Sequence, residues 1–195
     1  GNTVFSTFSN PAAILSLGNG LSSDVTRFIG VFYAEATPLK GLSLKTQYGV
    51  DYARIEEQRF WSPLHGDGVN SKGLANAYNT KNNRWTWTNT ATYNFSLGQN
   101  NFNLLAGTEA SERNNFVVFQ GPFGSATAGG SLSNNTMVSY FGRINYDYAS
   151  KYIVSLNYRR DGYSALSEKN RWGNFGGVSA AWRVSEEGFF KPLRN

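Results

Sequence analysis

Few side chains in this sequence have the type and spacing needed for chemistry. His65 is the single histidine and there is no cysteine, so neither a Ser-His-Asp triad nor a histidine or thiolate metal cluster can be built from these residues. The adjacent glutamates at 56–57 and 186–187 would alternate across a strand, so they do not form a glycosidase pair. The glycine-rich stretch 121–130 lacks the Lys-Ser or Lys-Thr of a phosphate-binding loop. We predict no catalytic residue, cofactor or metal, and therefore not an enzyme.

Aromatic and polar residues are better suited to binding. Trp61, Tyr163 and Trp172 fall in predicted loops, where their rings could stack on sugars or pack beneath a partner protein. Polar side chains on one face of the predicted strands would hydrate an aqueous interior, contact another domain or touch a bound molecule. They are Lys45, Gln47, Asp51, Asn94, Glu109, Arg143, Asn145, Asn157, Arg159 and Asp161.

Three consecutive charged residues give one specific hypothesis. Arg159, Arg160 and Asp161 are expected to form a charge network at the outer rim of the predicted sheet, where a strand ends, and this network would fix the loop 162–172. Replacing Asp161 with alanine should then increase protease cleavage in that loop, and unchanged cleavage would count against the network. With the loop aromatics, the candidate contact residues are Trp61, Arg159, Asp161, Tyr163 and Trp172.

Seven stretches of alternating apolar and polar residues must position these side chains. The period-two pattern is clearest at 42–52, where one face carries Leu42, Leu44, Thr46, Tyr48, Val50 and Tyr52. The other predicted strands are 27–37, 84–97, 102–113, 137–148, 151–161 and 173–184. Residues 1–26 carry turn-forming dipeptides and are expected to form an irregular outer segment. The chain is therefore predicted to be all-β and antiparallel.

The predicted connections alternate strictly between short and long. Short turns at 38–41, 98–101 and 149–150 separate long links at 56–83, 114–135 and 162–172. Strands of about 11 to 14 residues extend roughly 36 to 45 Å, which a tilt near 45° reduces to about 25 to 30 Å. Both features are typical of a transmembrane β-barrel with short inner turns and long outer loops. Because single-chain bacterial barrels have an even strand number, residues 27–195 are predicted to be a segment of a larger barrel.

Composition limits the alternatives without deciding between them. Charged residues make up 16% and aromatic residues 15% of the chain, and the charged fraction is below the roughly 25% of soluble domains. This composition suits a barrel, but it also suits a soluble, aromatic-rich β-sandwich that binds glycans. The net charge of +5 comes from scattered Lys and Arg residues, so no nucleic-acid partner is expected.

Longer phrases of the sequence resemble the SusC/RagA family of TonB-dependent outer-membrane transporters. They are the aromatic strand 140–148 followed by Lys151 and Tyr152, the Arg-Asp-Gly phrase at 159–164, and the strand 173–186 with Trp182-Arg183 and its acidic turn. Shorter matches are 10–11, 41–42, 49–52 and 105–109. The chain departs from the family pattern at Tyr163, Asn174 and Gly176, which lie at loop margins.

This resemblance implies a role in nutrient import. The complete protein would have a 22-stranded barrel filled by an N-terminal plug, which is absent from this sequence. It would import glycan oligosaccharides or peptides across the outer membrane of a Gram-negative-type cell. The implied partners are a SusD-like surface lipoprotein, TonB through the missing plug, the rest of the barrel, lipid or lipopolysaccharide, and a glycan or peptide cargo. A passive porin is the alternative membrane protein, and it would have no plug encoded upstream.

Overall fold

The computed structural model describes residues 20–64, 68–70, 72–121 and 128–190. Seven strands form one antiparallel sheet in which each strand is hydrogen-bonded to the next in chain order. They are β1 (Gly20–Leu39), β2 (Leu42–Trp61), β3 (Leu74–Leu97), β4 (Asn100–Gln120), β5 (Ala128–Tyr148), β6 (Tyr152–Tyr163) and β7 (Trp172–Trp182). Short 3₁₀ turns occur at Glu168–Asn170 and Val184–Glu186. The predicted fold class, an antiparallel barrel segment, is confirmed.

Most strands are longer than the sequence pattern predicted. The link between β2 and β3 is 62–73 instead of 56–83, and the link between β4 and β5 is 121–127 instead of 114–135. In a stretch such as 74–84, polar residues occupy both faces, so no apolar alternation marks the strand. The hydrogen-bonded ladder to neighbouring strands extends it regardless of side-chain pattern.

The start of β1 was also predicted too late. The strand begins at Gly20, before the expected Arg27, although residues 22–24 are the Ser-Ser-Asp sequence typical of turns. Pairing with β2 overrides this local preference. Residues 1–19, which carry the remaining turn signals and the Asn-Pro phrase, lie outside the described residues.

The chain divides into two compact units. The first unit comprises the described residues within Gly1–Ile29, Asp51–Arg84 and Arg113–Asn134. The second unit comprises those within Gly30–Val50, Trp85–Glu112 and Asn135–Asn195. The second unit contains all three short turns and the whole of β6 and β7. In the described ranges, no helix is long and apolar enough to cross a membrane.

Two unlike faces distinguish the sheet in the second unit. The register places Ile144, Leu156 and Val178 side by side on one face, which we call the apolar face. The other, polar face carries Asn145 beside Ser155. Ile144 is 47% exposed and Val178 is 76% exposed, and among the described residues no hydrophobic side chain is buried. A soluble β-sandwich requires two sheets around a dry core, so this single sheet excludes the sandwich alternative.

The turn between β5 and β6 is backbone-strained. Ala149 has φ 54° and Ser150 has φ 58°, which is the left-handed region that both central residues of a type I′ turn must occupy. The Ser150 N–H donates to Asp147 Oδ1 at 2.8 Å, which holds the turn closed. A β-carbon is disfavoured in this region, so neither residue is the best choice for its position.

Replacing Ala149 with asparagine and Ser150 with glycine is expected to stabilise the full-length protein by about 1 kcal/mol, because Asn-Gly is the preferred type I′ pair. The urea midpoint of unfolding in detergent measures this gain. The single change Ser150→Ala keeps a β-carbon at φ 58° and should give no gain. An unchanged or lowered midpoint for the double variant would show that the turn is not strained.

Candidate functional site

The main cluster of charged side chains lies on the polar face of the second unit. Arg159 on β6 donates from Nε to Asp161 Oδ1 at 2.7 Å and from Nη2 to Glu109 Oε1 at 2.9 Å. The same Nη2 donates to Ser139 Oγ at 2.9 Å. Thr88 donates its hydroxyl to Glu109 Oε2 at 3.1 Å. We call these five residues the Arg159 network, and it joins strands β3, β4, β5 and β6.

Strand periodicity and register bring this network together. Arg159 and Asp161 are two positions apart on β6, so they share a face. Their partners across the β5–β6 ladder are Phe141 and Ser139, respectively. The Arg159 guanidinium carbon lies 5.3 Å from the centroid of the Phe141 ring, which forms a cation–π contact. Ser139 is fully buried at 0% exposure beneath the guanidinium.

The hydrogen bonds and ion pairs of the Arg159 network hold neighbouring strands together. One guanidinium is shared between two carboxylates, so the cluster carries one net negative charge. The Arg159 side chain is 35% exposed, that of Glu109 24% and that of Asp161 26%. Each charge has an opposite charge and directed hydrogen bonds, so the strands are tied together while part of the cluster remains accessible from the polar face.

A second set of polar contacts, which the sequence did not reveal, runs across the same face. Asn103 donates to Asn94 Oδ1 at 2.5 Å, and Asn145 donates to Asn103 Oδ1 at 3.1 Å. Ser155 donates to Asn145 Oδ1 at 2.6 Å, which extends the chain of bonds from β3 to β6. A cavity of about 670 Å³ lies against three of these amides, Asn94, Asn103 and Asn145. We call this neutral row the amide ladder.

Sequence reasoning identified Asn94 and Asn145 as polar-face residues but omitted Asn103, which connects them. The alternation of Asn103 with Phe102 and Leu104 could have placed it on the polar face. No sequence signal gives the pairing itself, because it depends on the register of three strands.

Arg160 does not join the expected charge network. It follows Arg159 in the strand and therefore points to the apolar face, where its guanidinium carbon lies 4.8 Å from the centroid of the Trp172 ring. Trp172 also stacks with Tyr140, with ring centroids 6.3 Å apart. The structure thus brings together Arg159 and Asp161, and separates them by the thickness of the sheet from Arg160 and Trp172.

The three predicted loop aromatics are strand-terminal residues. Trp61 ends β2, Tyr163 ends β6 and Trp172 begins β7, because the strands extend further than predicted. Trp61 belongs to the first unit, where the Arg59 guanidinium carbon lies 4.0 Å from its ring centroid. Tyr163 is 38% exposed. Within the second unit, Arg159 and Asp161 lie on the polar face, whereas Trp172 lies with Arg160 on the apolar face.

The link 164–171 is held by hydrogen bonds that do not involve Asp161. Ser164 N–H donates to Thr136 O at 2.9 Å, and Thr136 N–H donates to Ser164 Oγ at 2.7 Å. Tyr163 N–H donates to Arg171 O at 2.9 Å. An effect of Asp161 on this link would act through Arg159 and the end of β6, and the role of Asp161 remains a proposal.

His65 lies outside the described residues. Within the ranges that are described, no group of three or more His, Cys, Asp or Glu side chains is arranged to hold a metal ion.

The carboxylate of Glu187 is the centre of a hydrogen-bonded cluster just after the end of β7. Glu187 accepts hydrogen bonds from the Tyr152 hydroxyl at 2.7 Å, the Lys151 ammonium at 3.0 Å and the Trp182 indole N–H at 3.2 Å. The Glu187 side chain is only 15% exposed. These three donors lower the pKa of the Glu187 carboxyl from 4.5 to about 2. The segment after β7 is therefore fastened to the start of β6.

The Glu187 cluster should resist acid. Because the folded pKa lies below the unfolded value, its stabilising contribution is complete above about pH 4.5 and is lost as the pH falls towards 2. The fluorescence of Trp182, taken as the difference between the wild-type protein and Glu187→Gln, should change with a midpoint near pH 2. Glu168→Gln removes an exposed carboxylate as a matched control and should titrate like the wild type. A midpoint between pH 4 and 5 would contradict the cluster.

Comparisons with known proteins agree with this architecture. No protein-family model matches the chain. TonB-dependent receptor P26 of Formosa agariphila is 30% identical over 96% of this chain and 21% of its own length. TonB-dependent receptor SusC of Bacteroides thetaiotaomicron is 31% identical over 94% of this chain and 19% of its own length. The chain thus spans about a fifth of the length of the curated relatives it matches.

A solved structure shows the same fold. The RagAB peptide transporter superposes with a TM-score of 0.81, at 22% sequence identity, over 91% of this chain and 22% of that chain. The seven-stranded sheet therefore corresponds to part of a larger barrel wall.

Proposed function

This chain is a SusC/RagA-like segment of a TonB-dependent receptor, and from that premise we propose that it forms part of an outer-membrane barrel that imports large nutrients. Its relatives are named as receptors and transporters. The observation that carries the proposal is the sheet itself, which exposes both an apolar and a polar face and, in the described residues, buries no hydrophobic side chain. Such a sheet is stable where lipid covers one face and water the other.

The polar face is then the lumen side of the barrel wall. The Arg159 network and the amide ladder would present fixed charges and neutral amides to the lumen. There they would contact water, the plug that energy from TonB displaces, or passing cargo. The amide ladder offers both donors and acceptors without charge, which suits sugar hydroxyls and peptide groups equally. The cargo is accordingly proposed as a class, either glycan oligosaccharides or peptides.

The ends of the strands would contact the cargo or a SusD-like surface lipoprotein. Half-buried Trp61 forms an aromatic–cation pair with exposed Arg59 beside the link 62–73. Tyr163 offers an exposed ring beside the link 164–171. Aromatic rings of this kind pack against the faces of sugar rings or against an apolar lid.

Uptake in a strain that lacks the full-length gene tests this proposal. Growth on oligosaccharides or peptides as the sole nutrient should be lost, and the gene should restore it only when TonB is present. Restoration without TonB would favour the passive porin. Co-purification of the full-length protein with an adjacently encoded lipoprotein tests the lid, and Trp61→Ala should weaken that complex or the uptake it supports. An unchanged complex and unchanged uptake would remove Trp61 from the site.

A further inference from the structure

The apolar face of the second unit contains a groove of about 740 Å³. Small and aliphatic side chains, including Ala36, Leu44, Ala91 and Ala106, line it, and Tyr140 and Tyr158 border it. Glu35 and Lys45 also border it, but Glu35 is bonded to Ser43 and Lys45 lies over the Tyr33 ring, on the polar face. The groove is therefore a largely uncharged depression between larger side chains.

Polar groups adjoin the tyrosine end of this groove. Arg160 lies between Tyr140 and Asn174 in one row of cross-strand partners. The Tyr158 hydroxyl donates to Asn174 Oδ1 at 2.8 Å, which uses the acceptor of that amide and not its Nδ2 donor. A guanidinium and an amide donor thus stand together beside the end of an apolar groove.

Within the part of the chain that the structure describes, Arg160 has no anionic partner. It is exposed, and none of the ion pairs among the described residues includes it. The neighbouring carboxylate of Asp161 is on the polar face and is bonded to Arg159. A guanidinium on the lipid-facing side of a barrel is destabilising unless it meets a counter-charge or the interface. Its stacking on Trp172 supplies only part of this compensation.

We propose that this surface binds an acylated lipid that carries a phosphate group. The Arg160 fork and the Asn174 amide bind the phosphate oxygens, and an acyl chain occupies the groove beyond Tyr140 and Tyr158. Guanidinium groups match phosphate with paired, charge-assisted hydrogen bonds. The short side chains of Ala91 and Ala106 leave the depth that a hydrocarbon chain requires. Charge and shape therefore select one occupant, a lipid and not a free anion.

Native mass spectrometry of the delipidated, full-length protein tests this inference. Dioleoyl phosphatidate should bind the wild type about tenfold more tightly than dioleoylglycerol, which lacks the phosphate. Arg160→Gln should remove this preference. Lys169→Gln, which deletes an exposed cation on a nearby 3₁₀ turn, should retain it. Equal preferences in these two variants would overturn the proposal.

The groove is tested separately from the charge. Ala106→Phe fills it from an exposed position and should weaken binding of both dioleoyl lipids several-fold, with Arg160 intact. Inorganic phosphate at millimolar concentration should not displace phosphatidate. Displacement by phosphate, or unchanged lipid binding in Ala106→Phe, would show a simple anion site and overturn the lipid assignment. Heat-modifiable migration on gels confirms that each variant barrel is folded.

Discussion

Replacing Arg159 with glutamine is expected to lower the free energy of unfolding of the full-length barrel by about 2 kcal/mol. The change leaves two carboxylates, Glu109 and Asp161, without the cation that both contact. It also leaves the buried Ser139 hydroxyl without its bond to the guanidinium. Because Arg159 is 35% exposed, water screens part of the loss, and the expected value is below that of a fully buried pair. Urea unfolding in detergent, followed by tryptophan fluorescence, measures it.

Arg143→Gln is the matched control for this change. Arg143 lies on β5, on the same polar face, and is exposed. Its removal should change the free energy of unfolding by less than about 0.5 kcal/mol. Adding Glu109→Gln to the Arg159 variant should recover part of the loss, because it removes the repulsion between the two carboxylates. If Arg159→Gln and Arg143→Gln behaved alike, the network would not tie the strands together.

Two other variants, Asp161→Ala and Ser164→Ala, separate two accounts of what holds the link 164–171. If Asp161 fixes this link, Asp161→Ala should increase its protease cleavage, as the sequence suggested. The hydrogen bond from Thr136 N–H to Ser164 Oγ predicts instead that Ser164→Ala exposes the link more strongly. Cleavage in Asp161→Ala at the wild-type rate would restrict the role of Asp161 to orienting Arg159.

Sequence reasoning was most reliable where one face of a strand is apolar. Leu42, Leu44 and Tyr48 alternate with polar residues, and the strand was predicted from its true first residue. The extension of β3 back to Leu74 was missed because its early residues are polar on both faces, and side-chain pattern carries no signal there. Such segments become strands through backbone hydrogen bonds to a neighbouring strand, so the residue pattern of one strand alone does not predict them.

The distinction between side-chain pattern within a strand and pairing between strands also explains which parts of the candidate site could be predicted. Side chains alternate along β6, which places Arg159 and Asp161 on one face and Arg160 on the other. The sequence alone implies this alternation, but the predicted network of three residues did not take it into account. The bond from Arg159 to Glu109 joins residues 50 positions apart. No local sequence pattern predicts this contact, because the register of the intervening strands determines it.

Gly107→Ala is the second change with a large expected effect. A β-carbon at this position would lie 2.4 Å from Phe141 Cζ and 3.0 Å from the Asn89 carbonyl oxygen. The Asn89 carbonyl is part of the backbone and cannot easily shift, so the Phe141 ring must move to relieve the clash. This movement disturbs the cation–π contact in which the Arg159 guanidinium carbon lies 5.3 Å from the centroid of the Phe141 ring. We expect a loss of about 2 kcal/mol in the free energy of unfolding, as in other overpacked sites. Thermal and urea unfolding of the full-length barrel measure it.

Two further variants attribute this effect to the Phe141 ring. Gly176→Ala, on β7, places its β-carbon 3.9 Å from the Asn157 carbonyl oxygen and should be tolerated, since that is an ordinary contact. Phe141→Leu should cost less in the Gly107→Ala background than in the wild type, because the smaller side chain relieves the clash. Additive losses from Gly107→Ala and Phe141→Leu would mean that the ring is free to turn away from Gly107. The attribution of the Gly107→Ala loss to the Phe141 ring would then be refuted.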